Sequence, residues 1–446
     1  MKTSNRQYLT ITGLLFMLAS SLTGWDLHTL IAHPVFSSMS EVSDADSVKV
    51  TSLQEFLITV EDQLEFALAG EEAWAQNNLE YYRSLPEELS FKATANRADL
   101  IFRFTQAIRI NPQSKLISYL QLLPGDDPGL KSNLVPEDVT PLKDNSGFNN
   151  VIFVGLNQGE LIDPLSVLVS ANHEPDLGLD IGLYDDNGTD WGQKYNFGSQ
   201  PFGNPNLEYG SQAPFHMGLY HEAGIVNLMA PFISECYPEY RIHLYKTLSE
   251  LAFRMGDDYW GWRFMGWGLH YIGDLVQPYH ARALPGVSVF KMISMNILDM
   301  LGRSRMKDEA IQIVSNRHLA IEMLERQILE NAYLDTSQEH FQFEMLTKEV
   351  VAPHYVDMIP RSIIAKKSFA EAKRLDQIIA TNFPGILVSD PSVEFDTRPE
   401  KDEILKLLQG AENNLALDNL EQELNLILSS FSVYGRSYVT SILQSH

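Results

Sequence analysis

The stretch that indicates the fold is KTLSELAFRMGDDYWGWRFMGWGLHYIGDL, residues 246–275. Its pattern is helical, and helical patterns continue beyond it, with breaks, to the C-terminus. Gly266, Gly268 and Gly273 would each cost about 1 kcal/mol in a helix relative to alanine. Glycine at these positions indicates that a neighbouring element packs closely against the helix, and the tryptophans of the stretch are expected to lie in the core.

The remaining segments extend this interpretation to most of the chain. Residues 52–123 largely repeat apolar side chains at the spacing of a helix with one buried face. Residues 151–170 fit a short strand or a helix, and the segment that follows them is rich in Gly, Asn, Asp and Pro. The sequence therefore predicts an all-α, multi-helix fold with irregular loop insertions. It also predicts one catalytic domain over residues 25–446, with insertions near residues 124–214 and 281–317.

Composition and charge narrow the function classes. The chain has 446 residues with 44 % hydrophobic and 20 % charged residues, which is ordinary globular composition and excludes wholesale disorder. Its formal net charge of −25 disfavours a nucleic-acid backbone as a partner over a wide surface, because both would be polyanions. Cys236 is the one cysteine, so an internal disulfide and a cysteine-based zinc site are excluded. A metal would have to be held by His, Asp, Glu or backbone groups.

The first 24 residues have the pattern of a secretory signal. Lys2 and Arg6 form a basic start, residues 8–22 are mostly apolar, and Leu22-Thr23-Gly24 offers a cleavage site. The apolar run is short for a membrane span, so a retained anchor is the less favoured alternative. Cleavage would make Trp25 the N-terminus of a secreted protein, with the periplasm as an alternative location.

The strongest chemical signal is His270-Tyr-Ile-Gly-Asp274-Leu-Val-Gln-Pro-Tyr-His280. His270 and Asp274 are four residues apart, so a helix would stack their side chains on one face. Pro278 disfavours helix at Gln277, so the chain is expected to turn there and bring His280 back towards the pair. Two imidazoles and a carboxylate that converge in this way suit Zn²⁺, whereas the alternative is a helix with two incidental histidines.

A second pair, His318 and Glu322, has the same spacing within the helical run RHLAIEMLERQILE. Alone, this pair is common on solvated helix surfaces. Beside the first motif it becomes a candidate to bind a metal from one helix face.

These motifs resemble the signature of the superfamily that joins bacterial zinc-dependent phospholipases C with fungal single-strand-specific zinc nucleases. Its pattern is H-x3-D-x5-H followed by H-x3-E or H-x3-D, and HYIGDLVQPYHA matches the first part. The resemblance implies an all-α enzyme with three zinc ions at the bottom of a cleft. It also implies a mature N-terminal tryptophan whose amino and carbonyl groups bind metal, followed by a histidine. Trp25 and His28 match these positions, with His33 as the second choice.

The family also has an aspartate and then a histidine before the central motif. Asp176 follows Pro175 as in the family's Pro-Asp element, with Asp180 as the alternative, and His216 is preferred to His221 for the histidine. The resemblance distributes the ligands over three zinc ions: Asp176, His216, His270 and Asp274; Trp25, His28 and a bridging Asp274; and His280, His318 and Glu322.

The chemistry implied is hydrolysis of a phosphodiester, with Asp176 orienting the attacking water or taking its proton. The favoured function is a phospholipase C that cleaves phosphatidylcholine-like lipids at a membrane or micelle surface. A single-strand nuclease is the alternative, a non-enzymatic zinc-binding scaffold is a third hypothesis, and no protein partner is predicted. The apolar residues 285–301 could form a lipid-facing lip, but a buried core helix is slightly favoured for them.

Overall fold

Helices dominate the computed structural model, which describes residues 28–148, 150–204, 208–335, 340–410 and 415–445. The predicted signal and Trp25 lie outside these residues. Within them, α-helices account for most of the regular structure and strands are few and short, which confirms the all-α prediction.

The bounds of the α-helices are as follows: α1 (His28–Ser37), α2 (Ser40–Ser43), α3 (Leu53–Asn78), α4 (Leu100–Ala107), α5 (Pro136–Val139), α6 (Pro164–Ala171), α7 (Gly192–Tyr195), α8 (Glu208–His216), α9 (Gly224–Met229), α10 (Pro238–Arg254), α11 (Asp258–Val276), α12 (Pro278–Ala281), α13 (Val289–Met300), α14 (Arg305–Leu334), α15 (Phe341–Thr347), α16 (Lys366–Asn382), α17 (Gly385–Val388), α18 (Ile404–Gln409) and α19 (Leu415–Leu443). The strands are β1 (Val48–Lys49), β2 (Tyr119–Gln121), β3 (Asn133–Leu134), β4 (Phe153–Gly155) and β5 (Leu161–Ile162). β1 pairs antiparallel with β5, and β4 lies between β2 and β3, antiparallel to both.

Helix α11 is the central element of the core. The Asp257 side chain caps its start by accepting a hydrogen bond from the Trp260 amide, and the helix ends before Gln277, whose backbone is extended ahead of Pro278. Every side chain from Tyr259 to Val276 is buried, because α6, α10 and α19 pack around the helix. A helix that is apolar on most of its circumference is typical of a core position.

The glycines of α11 give its neighbours room. A Cβ at Gly266 would lie 2.6 Å from the Ala171 Cβ and 2.8 Å from the Leu168 carbonyl oxygen, both on α6. A Cβ at Gly268 would collide with the Tyr438 hydroxyl on α19. The prediction of close packing against this helix is confirmed at these two positions.

Gly266→Ala is therefore expected to lower the free energy of unfolding by about 1–3 kcal/mol, since α6 would have to move. Gly70→Ala is the matched control, because Gly70 lies within α3 with open space at its Cβ. There the gain in helix propensity should leave stability unchanged or raise it by up to about 1 kcal/mol. Equal unfolding curves in urea for the two variants would contradict the packing argument.

Three segments differ from the pattern-based expectations. Residues 52–123 form α3 and α4, but they also contain a long irregular connection and the strand β2, so the prediction of a largely helical segment is only partly right. Residues 151–170 contain both alternatives, the strands β4 and β5 followed by α6. The slightly favoured core helix at residues 285–301 is wrong, because only Met295 and Asn296 of α13 are buried.

The larger of two hydrophobic clusters joins residues from α1 to α19, and a smaller one surrounds Phe148 and Phe153. Trp260, Trp262 and Trp267 are buried in the larger cluster, as predicted. Among the described residues, no helix combines the length and the apolar character that a membrane span requires.

Candidate metal centre

Eight of the nine first-choice ligands lie in the described residues, and all eight converge in the interior. They come from six elements: His28 begins α1, Asp176 lies in a short 3₁₀ helix (Glu174–Leu177), His216 ends α8, His270 and Asp274 lie on α11, His280 lies on α12, and His318 and Glu322 lie on α14. The ninth ligand, Trp25, is outside the described residues. The eight form three groups whose ligand atoms lie within 4.8 Å of one another: His28, His270 and Asp274; Asp176, His216 and His270; and His280, His318 and Glu322.

Asp274 lies at the middle of the centre. Its Oδ1 is 3.8 Å from His28 Nε2 and 3.1 Å from His280 Nδ1. Its Oδ2 is 3.0 Å from His216 Nδ1 and 3.3 Å from His270 Nε2. The two oxygens therefore face different imidazoles, which is the arrangement that a carboxylate between two metal ions requires.

Asp176 lies near three of the same histidines. Its Oδ1 is 3.7 Å from His216 Nδ1 and 3.7 Å from His270 Nε2, and its Oδ2 is 3.8 Å from His28 Nε2. The buried carboxylates near it in the chain have arginine partners, since Glu174 pairs with Arg263 at 2.6 Å and Asp180 with Arg241 at 2.7 Å. Asp180 is therefore held by a buried ion pair, while Asp176 is directed at the histidines.

The third group lies between α12 and α14. Glu322 Oε1 is 2.6 Å from His318 Nε2 and 3.6 Å from His280 Nε2. The ring of Tyr279 stacks on His318 with 7° between the planes, which restrains that imidazole.

Asn172 supports the centre from behind. Its backbone carbonyl lies 2.9 Å from His270 Nδ1, and its side-chain amide donates to the carbonyl of His28 at 2.9 Å. A hydrogen bond from His270 Nδ1 to this carbonyl leaves Nε2 as the atom directed at the carboxylates, as is usual for metal-binding histidines. The sequence analysis did not identify Asn172, although it directly precedes the HEPD segment.

The protonation states suit a cation. Burial lowers the pKa of His28 well below its usual value and that of His318 to about 4, so both imidazoles are neutral at pH 7. Burial by itself would raise the pKa of Asp274, but His270 and His216 hold it well below the usual range. The buried carboxylates form a site that a divalent cation would neutralise, and this set of imidazole and carboxylate donors fits Zn²⁺.

The second-choice residues lie elsewhere in the described chain. His221 Nε2 is 2.7 Å from the backbone carbonyl of Arg361. The ring of His33 is half-buried beside Tyr333, with 6.1 Å between the ring centroids. Neither belongs to one of the three groups, so the structure brings in His216 and His28, the first choices.

Two further residues near the centre were missed by the sequence analysis. His173 is buried, and burial with the nearby His270 and Arg326 lowers its pKa to about 3. Its Nδ1 lies 2.6 Å from Gln121 Oε1, so Gln121 fixes the orientation of the ring. Arg326, one turn after Glu322 on α14, lines a pocket of about 390 Å³ that includes Glu322. His173 could have been found because it begins the HEPD segment that contains Asp176. Arg326 could have been found because it follows His318 and Glu322 at the same spacing of four residues on α14.

In comparisons with known proteins, no family model, no curated protein and no solved structure matches the chain.

Proposed function

We propose that this protein is an exported zinc-dependent phosphodiester hydrolase, and specifically a phospholipase C. The observation that carries the proposal is Asp274, whose two oxygens lie within 3.8 Å of nitrogens from four histidines. The resemblance of the chain to the zinc phospholipase and nuclease superfamily rests on the same residues. The helical architecture and the buried ligand groups are consistent with that family.

Each candidate ligand has a role in this proposal. Asp274 would bridge two zinc ions, and His280, His318 and Glu322 would hold a third. The α-amine and carbonyl of Trp25 would complete the set after the signal is removed, so that export would assemble the site. Bound zinc supplies a lowered pKa for water, to about 7, and positive charge that neutralises phosphoryl oxygens.

Asp176 is the catalytic group in the proposed reaction. Its carboxylate is buried and lies within 3.8 Å of three imidazoles, which hold it in place. It would orient the attacking water and accept its proton, and this proton would pass to the leaving alcohol oxygen as its P–O bond breaks in line. Asn172 would hold His28 and His270 in place through its two hydrogen bonds. The imidazole of His28 is neutral, so it would not protonate the Asp176 carboxylate.

The choice of a lipid over a nucleic acid rests on charge and on exposed apolar surface. The net charge of −25 disfavours a polyanionic strand. The pocket beside Glu322 contains the acids Glu330, Asp396 and Asp402 in addition to Arg326 and Lys401, so its lining also disfavours a long polyanion. Phospholipid presents one phosphodiester and a large apolar portion, which suits the apolar face of α13.

The test is phosphocholine release from a short-chain phosphatidylcholine by the processed, zinc-loaded protein, with its N-terminus verified by mass spectrometry. Single-stranded DNA serves as the paired substrate, and each reaction is run with and without chelator. We expect chelator-sensitive lipid turnover with intact DNA. Degraded DNA with intact lipid would favour the nuclease alternative, and no turnover of either by zinc-loaded protein would favour the scaffold.

A further inference from the structure

The exposed face of α13 is apolar. Phe290, Ile297 and Leu301 recur at seven and four residues, so they share one side of the helix and the turn that follows it. Their exposed fractions are 80 %, 51 % and 70 %. The opposite side carries the buried Met295 and Asn296. This helix is therefore anchored by one face while it presents an apolar stripe to the surroundings.

The neighbouring helix α9 carries another exposed apolar side chain. Val226 of α9 and Met292 and Met295 of α13 line the same small apolar cavity, which shows that the two helices pack together. Leu228, on the same short helix α9, is 75 % exposed. We call the set Phe290, Ile297 and Leu301, which share one side of α13 and the turn that follows it, the apolar ridge.

The charge around the ridge differs from that of the whole protein. Residues 285–309 contain the bases Lys291, Arg303, Arg305 and Lys307 and the acids Asp299, Asp308 and Glu309, so their formal charge is +1 in a chain of −25. Arg305 pairs with Glu309 at 2.7 Å. Lys291 and Arg303 are exposed beside the ridge. Asp299, by contrast, is neutralised by Lys307 at 2.8 Å. Exposed apolar side chains flanked by cations fit the surface of a phospholipid bilayer that contains anionic lipid.

The helix that carries the ridge also contacts a helix of the candidate metal centre. Helix α13 begins nine residues after His280 and packs against α14, which carries His318 and Glu322. Helix α13 therefore packs directly on one of the two helices that carry the third ligand group.

We propose that the apolar ridge, with Lys291 and Arg303, docks this protein onto phospholipid bilayers that contain anionic lipid. The choice of lipid as the partner rests in part on the proposed function. The docking itself depends on α13 and requires no bound metal.

The experiment is co-sedimentation with vesicles of phosphatidylcholine and phosphatidylglycerol, for the processed protein and for Phe290→Ser/Leu301→Ser. We expect the double variant to bind roughly tenfold or more weakly, because two apolar side chains no longer enter the bilayer. Phe66→Ser is the matched control: Phe66 is 79 % exposed on α3, a helix with six acidic and no basic residues, and its loss should leave binding unchanged. Lys291→Gln should weaken binding several-fold in low salt and less in high salt.

Parallel turnover of monomeric short-chain phosphatidylcholine separates the two proposals. Unchanged turnover with lost vesicle binding in the double variant supports both. Lost vesicle binding by a protein that hydrolyses no lipid supports the docking surface and contradicts the phospholipase. Equal vesicle binding by the double variant and the original protein overturns the docking surface. A dimer in light scattering that the double variant loses, with vesicle binding retained, would assign the ridge to a second copy of the chain.

Discussion

Asp274→Asn is expected to remove both metal binding around the bridging carboxylate and hydrolytic activity, while the helical fold persists. The amide has one oxygen and no charge, yet the site needs two anionic oxygens directed at different histidines. Loss of several kcal/mol of transition-state stabilisation corresponds to a fall in kcat/KM of roughly a thousandfold or more. The measurements are zinc content by mass spectrometry, turnover, and far-ultraviolet circular dichroism.

Asp258→Asn is the matched control, because Asp258 lies at the exposed first turn of the same helix. It should keep the zinc content and activity of the original protein. Full activity in Asp274→Asn would contradict the assignment of the metal centre. A loss of activity that is equal in both variants would point to damage of α11 instead.

Arg241→Met is expected to cost about 3–5 kcal/mol of unfolding free energy, because it leaves a buried carboxylate without its cation. The Arg241 guanidinium is fully buried and contacts Asp180 Oδ1 at 2.7 and 3.0 Å. It also donates to the carbonyls of Ile108 and Arg109, at 2.7 and 2.8 Å. Urea unfolding monitored by circular dichroism measures the loss.

A second substitution separates the ion pair from packing. Asp180→Asn in the Arg241→Met background removes the uncompensated charge, so the double variant should regain part of the lost stability. The substitution also tests the alternative ligand, since Asp180 Oδ2 is 3.6 Å from His216 Nε2 while Asp176 faces His216 Nδ1. A loss of less than about 1 kcal/mol in Arg241→Met would contradict the inference that the buried Arg241–Asp180 ion pair is needed for the stability of the fold.

Local rules accounted for the core of the candidate site. The spacing of His270 and Asp274 places both on one helix face wherever a helix forms, and Pro278 ends that helix for steric reasons that need no tertiary contact. His318 and Glu322 follow the same rule on α14. The close packing at the α11 glycines was predicted because glycine within a helix has a cost that packing must offset.

Choices between similar residues depended on distant parts of the chain. Asp180 has a carboxylate like that of Asp176, but its Oδ1 accepts from Arg241, 61 residues later in sequence, and its Oδ2 accepts from the Tyr271 hydroxyl. It belongs to none of the three ligand groups. His221 lies against a carbonyl 140 residues away. The exposure of α13 was misjudged because an apolar stripe has the same pattern whether it faces the core or the solvent.

Helix periodicity and proline sterics act within a few residues, so they were enough to predict the helical class and the candidate ligand pairs on α11 and α14. The choice between two aspartates and between two histidines for the candidate centre required the packed fold. The contact between the Asn172 carbonyl and His270 and the exposure of Phe290 to solvent also became clear only from the packed fold. Those outcomes depend on which elements pack together, and packing is a property of the whole core.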